Sequence, residues 1–265
     1  MNIISSKDNK LIKQAASLSE KKYRDQLGQY IIEGPNPVLE AFMQGGRPRF
    51  IFLRAGAESP EIQQIIQLAE TAASAVYELT GDVYSRIAQT DTPQGVIAVM
   101  DKHLYGAIDF FKIVGQKNIL VLDRIQDPGN MGTLLRTAEA MGFGGAIIVK
   151  GSVDVYSPKV VRAAAGSILR FPLYFASDAN HALKMLKDNE KHAYSAVMRS
   201  ENPCNTCDLA ENSAIIIGNE GGGVSDEFIN ETDTICIPMH GPTESLNAAL
   251  AGAMLMYEAL RQTLV

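Results

Sequence analysis

Short apolar runs alternate with amphipathic stretches along the whole chain, and this alternation predicts two α/β halves. In the first half, residues 7–22 pattern as a helix with Leu11, Ala15 and Leu18 along one side. A strand over 29–33 ends at Gly34-Pro35 and leads into a helix over 35–43. Residues 49–54 (RFIFLR) alternate basic and apolar side chains before the next turn. A helix near 60–72 and strands near 75–79 and 96–100 complete a small α/β domain expected over 1–100.

Residues 101–117 have mixed composition without a Pro or Ser cluster, which predicts a structured connector. From 118 the apolar runs are unbroken, the mark of strands buried on both faces. They fall at 119–122, 146–149, 193–197, 214–217 and 235–237. Helices are expected between most of them, over 131–141, 158–167, 180–189 and 246–260. The second half, 118–265, therefore reads as a mostly parallel sheet with helices on both faces.

A chain of 265 residues with 46% hydrophobic and 20% charged side chains can bury its own core, so it needs no disulfide framework. Three cysteines (Cys204, Cys207, Cys236) fit a reducing compartment. The longest apolar run, 248–257, is about half a membrane span, and Lys7, Asp8 and Lys10 stand where a signal peptide would be apolar. A soluble, cytoplasmic protein is expected. The net charge is −6, yet residues 1–24 carry Lys7, Lys10, Lys13, Lys21, Lys22 and Arg24 against only Asp8 and Glu20. That basic leading segment is either a solvated helix face or a surface that meets phosphates.

Ligands of open parallel sheets bind at the carboxyl ends of strands, and three loops there are unusually polar or glycine-rich. In DRIQDPGNMGTLLRTAEAMG, from Asp123, Asn130 is a candidate helix N-cap. Arg136 lies nearly opposite the apolar face of that helix, so packing does not explain it. In IIIGNEGGGVSDEF (215–228), Gly218, Gly221, Gly222 and Gly223 surround Asn219 and Glu220. Such glycines permit close approach of a ligand or of another backbone segment. Glu220 would repel a phosphate, which favours a cationic or hydroxyl-bearing ligand. In IPMHGPTESLNAALAGAMLMYEAL (237–260), the helix after Glu244 is apolar on every face, which predicts deep burial. Asn247, one turn inside its expected start, is either loop glue or a ligand contact.

Other signals are weaker. Gly142, Gly144 and Gly145 begin a strand rather than a dinucleotide-binding helix, which argues against an NAD-dependent enzyme. Cys204 and Cys207 form one CxxC without a second pair, the four histidines are scattered, and no metal is expected.

Together, DPGNMGTLLRTA, IIIGNEGGGVS and IPMHGPTESLNAALA resemble the three ordered motifs of the SpoU (TrmH-like) RNA ribose 2′-O-methyltransferases of the SPOUT superfamily. YSPKVVRAAAGSILRFP (156–172) is similar to the stretch between the first two motifs, and IIEG with TPQGVIAV to the family's N-terminal substrate-binding domain. The resemblance implies an RNA-binding domain over 1–100, the connector 101–117, and a SPOUT methyltransferase domain over 118–265 with a trefoil knot. It implies S-adenosylmethionine as cofactor and a homodimer with cofactor sites close to the subunit interface. Asn130, Arg136, Glu220, Ser245 and Asn247 are implied as catalytic, and Gly218, Ile237 and Leu246 as main-chain cofactor contacts. The basic side chains Lys7, Lys10, Lys13, Lys21, Lys22 and Arg24 are expected to meet the RNA.

The implied reaction is attack of a ribose 2′-hydroxyl on the methyl of a sulfonium, so the acceptor is RNA, with ribosomal RNA favoured over transfer RNA. Family members often have the motif-one arginine assigned as general base. An arginine holds its proton far too firmly to act as a base, so stabilising the developing alkoxide is the better expectation for Arg136. A catalytically silent RNA-binding or assembly factor is the rival class, and retention of all five catalytic positions argues against it.

Overall fold

The central strands of the second half are short, aliphatic and buried on both faces, and parallel pairing requires the chain to cross back between them, mostly through helices. The computed structural model describes residues 2–243 and 245–264, the side chain of Asn2 excepted. The strands are β1 (Asn2–Ile4), β2 (Gln29–Glu33), β3 (Phe50–Arg54), β4 (Ala75–Leu79), β5 (Val96–Asp101), β6 (Ile119–Leu122), β7 (Gly145–Val149), β8 (Leu173–Ala176), β9 (His192–Ala196), β10 (Ser213–Ile217) and β11 (Asp233–Ile235). The helices are α1 (Lys10–Ser17), α2 (Lys21–Leu27), α3 (Pro35–Met43), α4 (Pro60–Thr71), α5 (Gly81–Ile87), α6 (Ala107–Val114), α7 (Pro128–Ala140), α8 (Pro158–Ala163), α9 (Ala179–Asp188), α10 (Asp226–Ile229) and α11 (Ala248–Thr263).

The chain divides into two units. One holds the residues up to Lys102 together with Asp154–Arg170, and the other holds His103–Val153 and the residues from Phe171. The expected partition differs from this in two respects. Residues 154–170 fold with the first unit, and α6, placed in a connector, supplies Phe110, Phe111 and Val114 to the core of the second.

In the first unit the sheet order is β1-β4-β3-β5-β2, with β1, β3 and β4 parallel and β5 antiparallel to both its neighbours. Ile12, Ala15 and Leu18 join Phe52, Leu79, Tyr84 and Ile97 in one apolar cluster. The single helix expected over 7–22 is two. Arg24 explains the break: its guanidinium donates to the carbonyls of Leu18 (2.7 Å) and Ser19 (2.8 Å), beyond the end of α1. Its other nitrogens donate to Asp154 Oδ2 at 2.8 and 2.7 Å. Around the same segment the Tyr30 and Tyr156 rings lie 4.9 Å apart, and Lys102 Nζ sits 4.9 Å from the centre of the Tyr156 ring.

The second unit is a six-stranded sheet in the order β11-β9-β10-β6-β7-β8, parallel throughout. Side chains alternate across it. Ile119, Val121, Ile147 and Ile216 face the cluster that includes α6 and α9 residues. Gly252 of α11 sits where a Cβ would collide with the Leu134 side chain of α7, so glycine lets these two helices close. Because every strand runs the same way, the loops after β6, β10 and β11 emerge at one edge of the sheet. Among the described residues no helix is long and apolar enough to cross a membrane, and no group of three or more His, Cys, Asp or Glu is placed to hold a metal ion.

Candidate active site

The first loop leaves β6 at Asp123, a buried carboxylate that accepts from the N–H of Ser225 (2.8 Å) and from the Arg124 guanidinium. Asp127, not Asn130, caps α7: its Oδ1 accepts from Asn130 N at 2.7 Å, and Pro128 opens the helix. Asn130 stands in the first turn, and its amide is free to reach across loops. Its Nδ2 donates to Glu220 Oε1 at 2.9 Å, and its Oδ1 accepts from Asn247 Nδ2 at 3.1 Å. Asn247 is the N-cap of α11, its Oδ1 accepting from the N–H groups of Ala249 (2.9 Å) and Leu250 (3.2 Å). The expected start of that helix therefore moves two residues on, and the bonds of Asn247 tie the third loop to the first.

The second loop is shaped by its own backbone. Asn219 and Gly223 exchange main-chain hydrogen bonds, and Asn219 Oδ1 accepts from the N–H groups of Gly221 and Gly222, both at 2.9 Å. A Cβ on Gly218 would collide with the main chain of Gly223 and Val224. Of the two close approaches that the glycines allow, the structure shows that of backbone on backbone. Gly218→Ala is expected to cost about 1–3 kcal/mol of stability by forcing this loop open, read as a lowered melting temperature together with weakened S-adenosylhomocysteine binding.

Glu220 does not stand ready for a cation. Its oxygens accept from Asn130 and, more weakly, from the N–H groups of Gln126 (3.3 Å) and Asp127 (3.4 Å). Partial burial pushes this carboxyl up, but those hydrogen bonds outweigh it and hold the group below its ordinary range. A depressed folded value means that the clasp stabilises above the unfolded carboxyl's value and is lost as pH falls through the lower folded one. Glu220 is thus a carboxylate at working pH, not a general acid. Hydrogen exchange of the loop amides is expected to show constant protection from neutral pH to about 4.5 and to lose it only in stronger acid.

Asn130, Glu220 and Asn247 are brought together; Arg136 and Ser245 are not bonded to them. Both are exposed, and among the described residues neither side chain has a hydrogen bond or ion pair. Ile237 and Leu246 are half-buried, and among the described residues their main-chain groups enter no hydrogen bond, which leaves donors and acceptors for a ligand. Asp123, Arg124 and Asp127 were missed by sequence reasoning; the Asp-Pro at the start of α7 was the available signal for Asp127.

The basic leading segment is less uniform than its composition suggests. Lys7, Lys10 and Lys22 are exposed, Lys13 pairs with Asp8 at 2.8 Å, and Lys21 pairs with Asp25. Arg24 is only 4% exposed, and its donors are taken by Asp154 and two carbonyls. It is a structural residue, and its expected place on an RNA surface is corrected. The helix α11, expected to be buried all round, leaves Leu250, Met254 and Tyr257 about half exposed along one stripe.

Residues 117–257 match the SpoU rRNA Methylase family, and residues 9–98 match the MRM3-like substrate binding domain. The chain belongs to the SpoU rRNA methylase family. Among relatives of this SpoU protein, the 23S rRNA (guanosine(2553)-2'-O)-methyltransferase RlmP of Bacillus subtilis is 30% identical over 97% of this chain and 98% of its own. The 23S rRNA (uridine(2479)-2'-O)-methyltransferase of Streptomyces viridochromogenes is 26% identical over 98% of this chain and 92% of its own. An AdoMet-bound rRNA methyltransferase from Sinorhizobium meliloti has a similar structure, with a TM-score of 0.87 and 27% identity over 100% of this chain and 99% of that one. The similarity to that structure thus takes in both the methylase part and the substrate-binding part of the chain.

Proposed function

We propose that the protein transfers a methyl group from S-adenosylmethionine to a ribose 2′-hydroxyl of ribosomal RNA. The observation that carries this reading is the clasp of Asn130, Glu220 and Asn247, which draws the three motif loops together at the carboxyl edge of the parallel sheet. Two full-length relatives act on 23S ribosomal RNA, one at a guanosine and one at a uridine. What those two acceptors share is the ribose hydroxyl.

The loops suit the cofactor: the unbonded main-chain groups of Ile237 and Leu246 lie in the third loop, and the Gly218 turn opens the second. When bound, S-adenosylmethionine supplies a methyl group on a positively charged sulfur, already activated for transfer. The chain must then align the acceptor and favour its alkoxide. Asn130, fixed by its two side-chain bonds, holds the first loop in register with the others. Arg136 carries an unspent guanidinium whose donors can meet a ribose oxygen or the adjoining phosphate, while the hydroxyl proton leaves to solvent.

The reading extends to a homodimer in the cytoplasm. The half-exposed Leu250, Met254 and Tyr257 stripe of α11 supports the dimer, because such a row on a monomer leaves apolar surface uncovered. Light scattering is expected to give twice the chain mass, and Met254→Lys to shift it to one.

The deciding experiment is transfer of labelled methyl from S-adenosylmethionine to unmodified ribosomal RNA and, separately, to bulk transfer RNA, with products digested to nucleosides. Label in a 2′-O-methylnucleoside of ribosomal RNA is the expected result. Label on a base, or in transfer RNA alone, overturns the reading. S-adenosylhomocysteine should raise the melting temperature; no label and no such shift would identify a silent RNA-binding factor.

A further inference from the structure

A cavity with a volume of about 700 Å³ is formed within the first unit. It opens where β3 ends at Arg54, between the starts of α3 and α4 and the segment that leads into β5. Its walls depend on two backbone positions that only glycine satisfies. Gly95, at φ +84°, lies where a Cβ would come within 2.7 Å of the Ala57 side chain. Gly34, at φ +105°, leaves room for Gln94 Oε1, which would lie 2.9 Å from its Cβ.

The lining carries unspent hydrogen-bonding groups of both kinds. Arg54, Asn36, Gln94 and Glu58 face this space, and among the described residues none of their side chains has a hydrogen bond or ion pair. Glu61 adds a second carboxylate. Two carboxylates against one guanidinium disfavour a bare phosphate. Mixed donors and acceptors instead fit the edge of a nucleobase, which presents both. The volume lies in the range of sites for single small ligands, about 300–1,000 Å³. Sequence-specific recognition of RNA works chiefly on unpaired nucleotides whose edges are exposed.

We propose that this cavity receives one unpaired nucleotide of the substrate RNA and reads its base edge through Arg54, Asn36, Gln94 and Glu58. The proposal rests on the RNA-methylation reading and adds to it a specificity site within the first unit. Arg54 here contacts the base, not the backbone, so its removal weakens binding without releasing fewer counterions.

The test measures binding of an unmodified 23S rRNA transcript to the wild type, Arg54→Ala and Asn36→Ala at several salt concentrations. Thermal melts and S-adenosylhomocysteine binding accompany it. Each variant is expected to weaken RNA binding about tenfold, with cofactor affinity unchanged and the slope of log K against log salt preserved. Asn36 is exposed at the start of α3, so its variant keeps the test available if Arg54→Ala melts early. Unchanged RNA affinity in both variants overturns the proposal. So does a slope reduced by about one in Arg54→Ala, which is the signature of a lost phosphate contact. Wild-type protein that binds S-adenosylhomocysteine but no transcript fails the underlying reading, and the proposal with it.

Discussion

Arg136→Ala is expected to slow methyl transfer to ribosomal RNA about 100- to 1,000-fold, the loss typical of a removed donor to a developing oxyanion. S-adenosylhomocysteine affinity and the melting temperature should hardly change, because Arg136 is exposed and its side chain makes no hydrogen bond or ion pair among the described residues. The expectation follows from what the reaction lacks. The methyl is activated before it reaches the protein, so the remaining barrier lies in aligning the 2′-hydroxyl and carrying its negative charge. A guanidinium holds its proton too firmly to serve as a base but offers five donors to an oxygen. Single-turnover rates on the same transcript separate the two roles. Arg136→Lys keeps a charge and three donors, so it should retain measurable activity. Complete loss in the lysine variant, with RNA binding intact, would point to a role for the guanidinium other than stabilising charge.

Arg24→Ala is expected to destabilise the first unit by about 3–5 kcal/mol, the usual consequence of breaking a buried ion pair from one side. The Arg24 side chain is 4% exposed and its partner Asp154 10% exposed. Removing the guanidinium leaves Asp154 without its counter-charge and the carbonyls of Leu18 and Ser19 without a donor. The chain has no tryptophan, so denaturant unfolding is best followed by circular dichroism. Joint replacement, Arg24→Met with Asp154→Leu, should recover much of the loss, since two apolar side chains leave no buried charge unpaired. A cost below 1 kcal/mol for Arg24→Ala would make the pair incidental to folding.

How far the sequence could be read varied with how local the controlling physics is. The second-unit strands β6, β7 and β10 were legible because they are near-continuous apolar runs, and two of the motif loops follow β6 and β10 directly. β8 was missed, since Leu173–Ala176 is short and follows Pro172 without a period of its own. α5 and α10 were missed for the same reason of length, and β1 because three residues carry too little pattern. The break between α1 and α2 was hidden: the apolar period runs through it, and the side chain that fixes it, Arg24, draws its partner from position 154. Composition placed Arg24 with the exposed lysines, although only a long-range carboxylate decides whether an arginine is buried. In the site, residue types signalled polarity correctly, but not direction. Asn130, Glu220 and Asn247 spend their hydrogen bonds largely on one another and on helix starts, an arrangement that spacing along the chain does not encode. The helix α11 was the converse case. An all-apolar surface cannot distinguish a helix buried in its own chain from one with a stripe left bare.

The interleaving of the two units has a consequence for inheritance. A domain that closes on itself can be cut from one gene and joined to another. Here the first unit borrows Asp154–Arg170 from within the stretch that matches the methylase family, and with it α8 and the carboxylate that neutralises Arg24. A recombination junction near residue 102 would part the guanidinium from its counter-charge and the sheet from one of its covering helices. The substrate-binding and methylase parts of this chain are therefore expected to travel together, and a new RNA specificity to arise by substitution within the first unit, not by exchange of it.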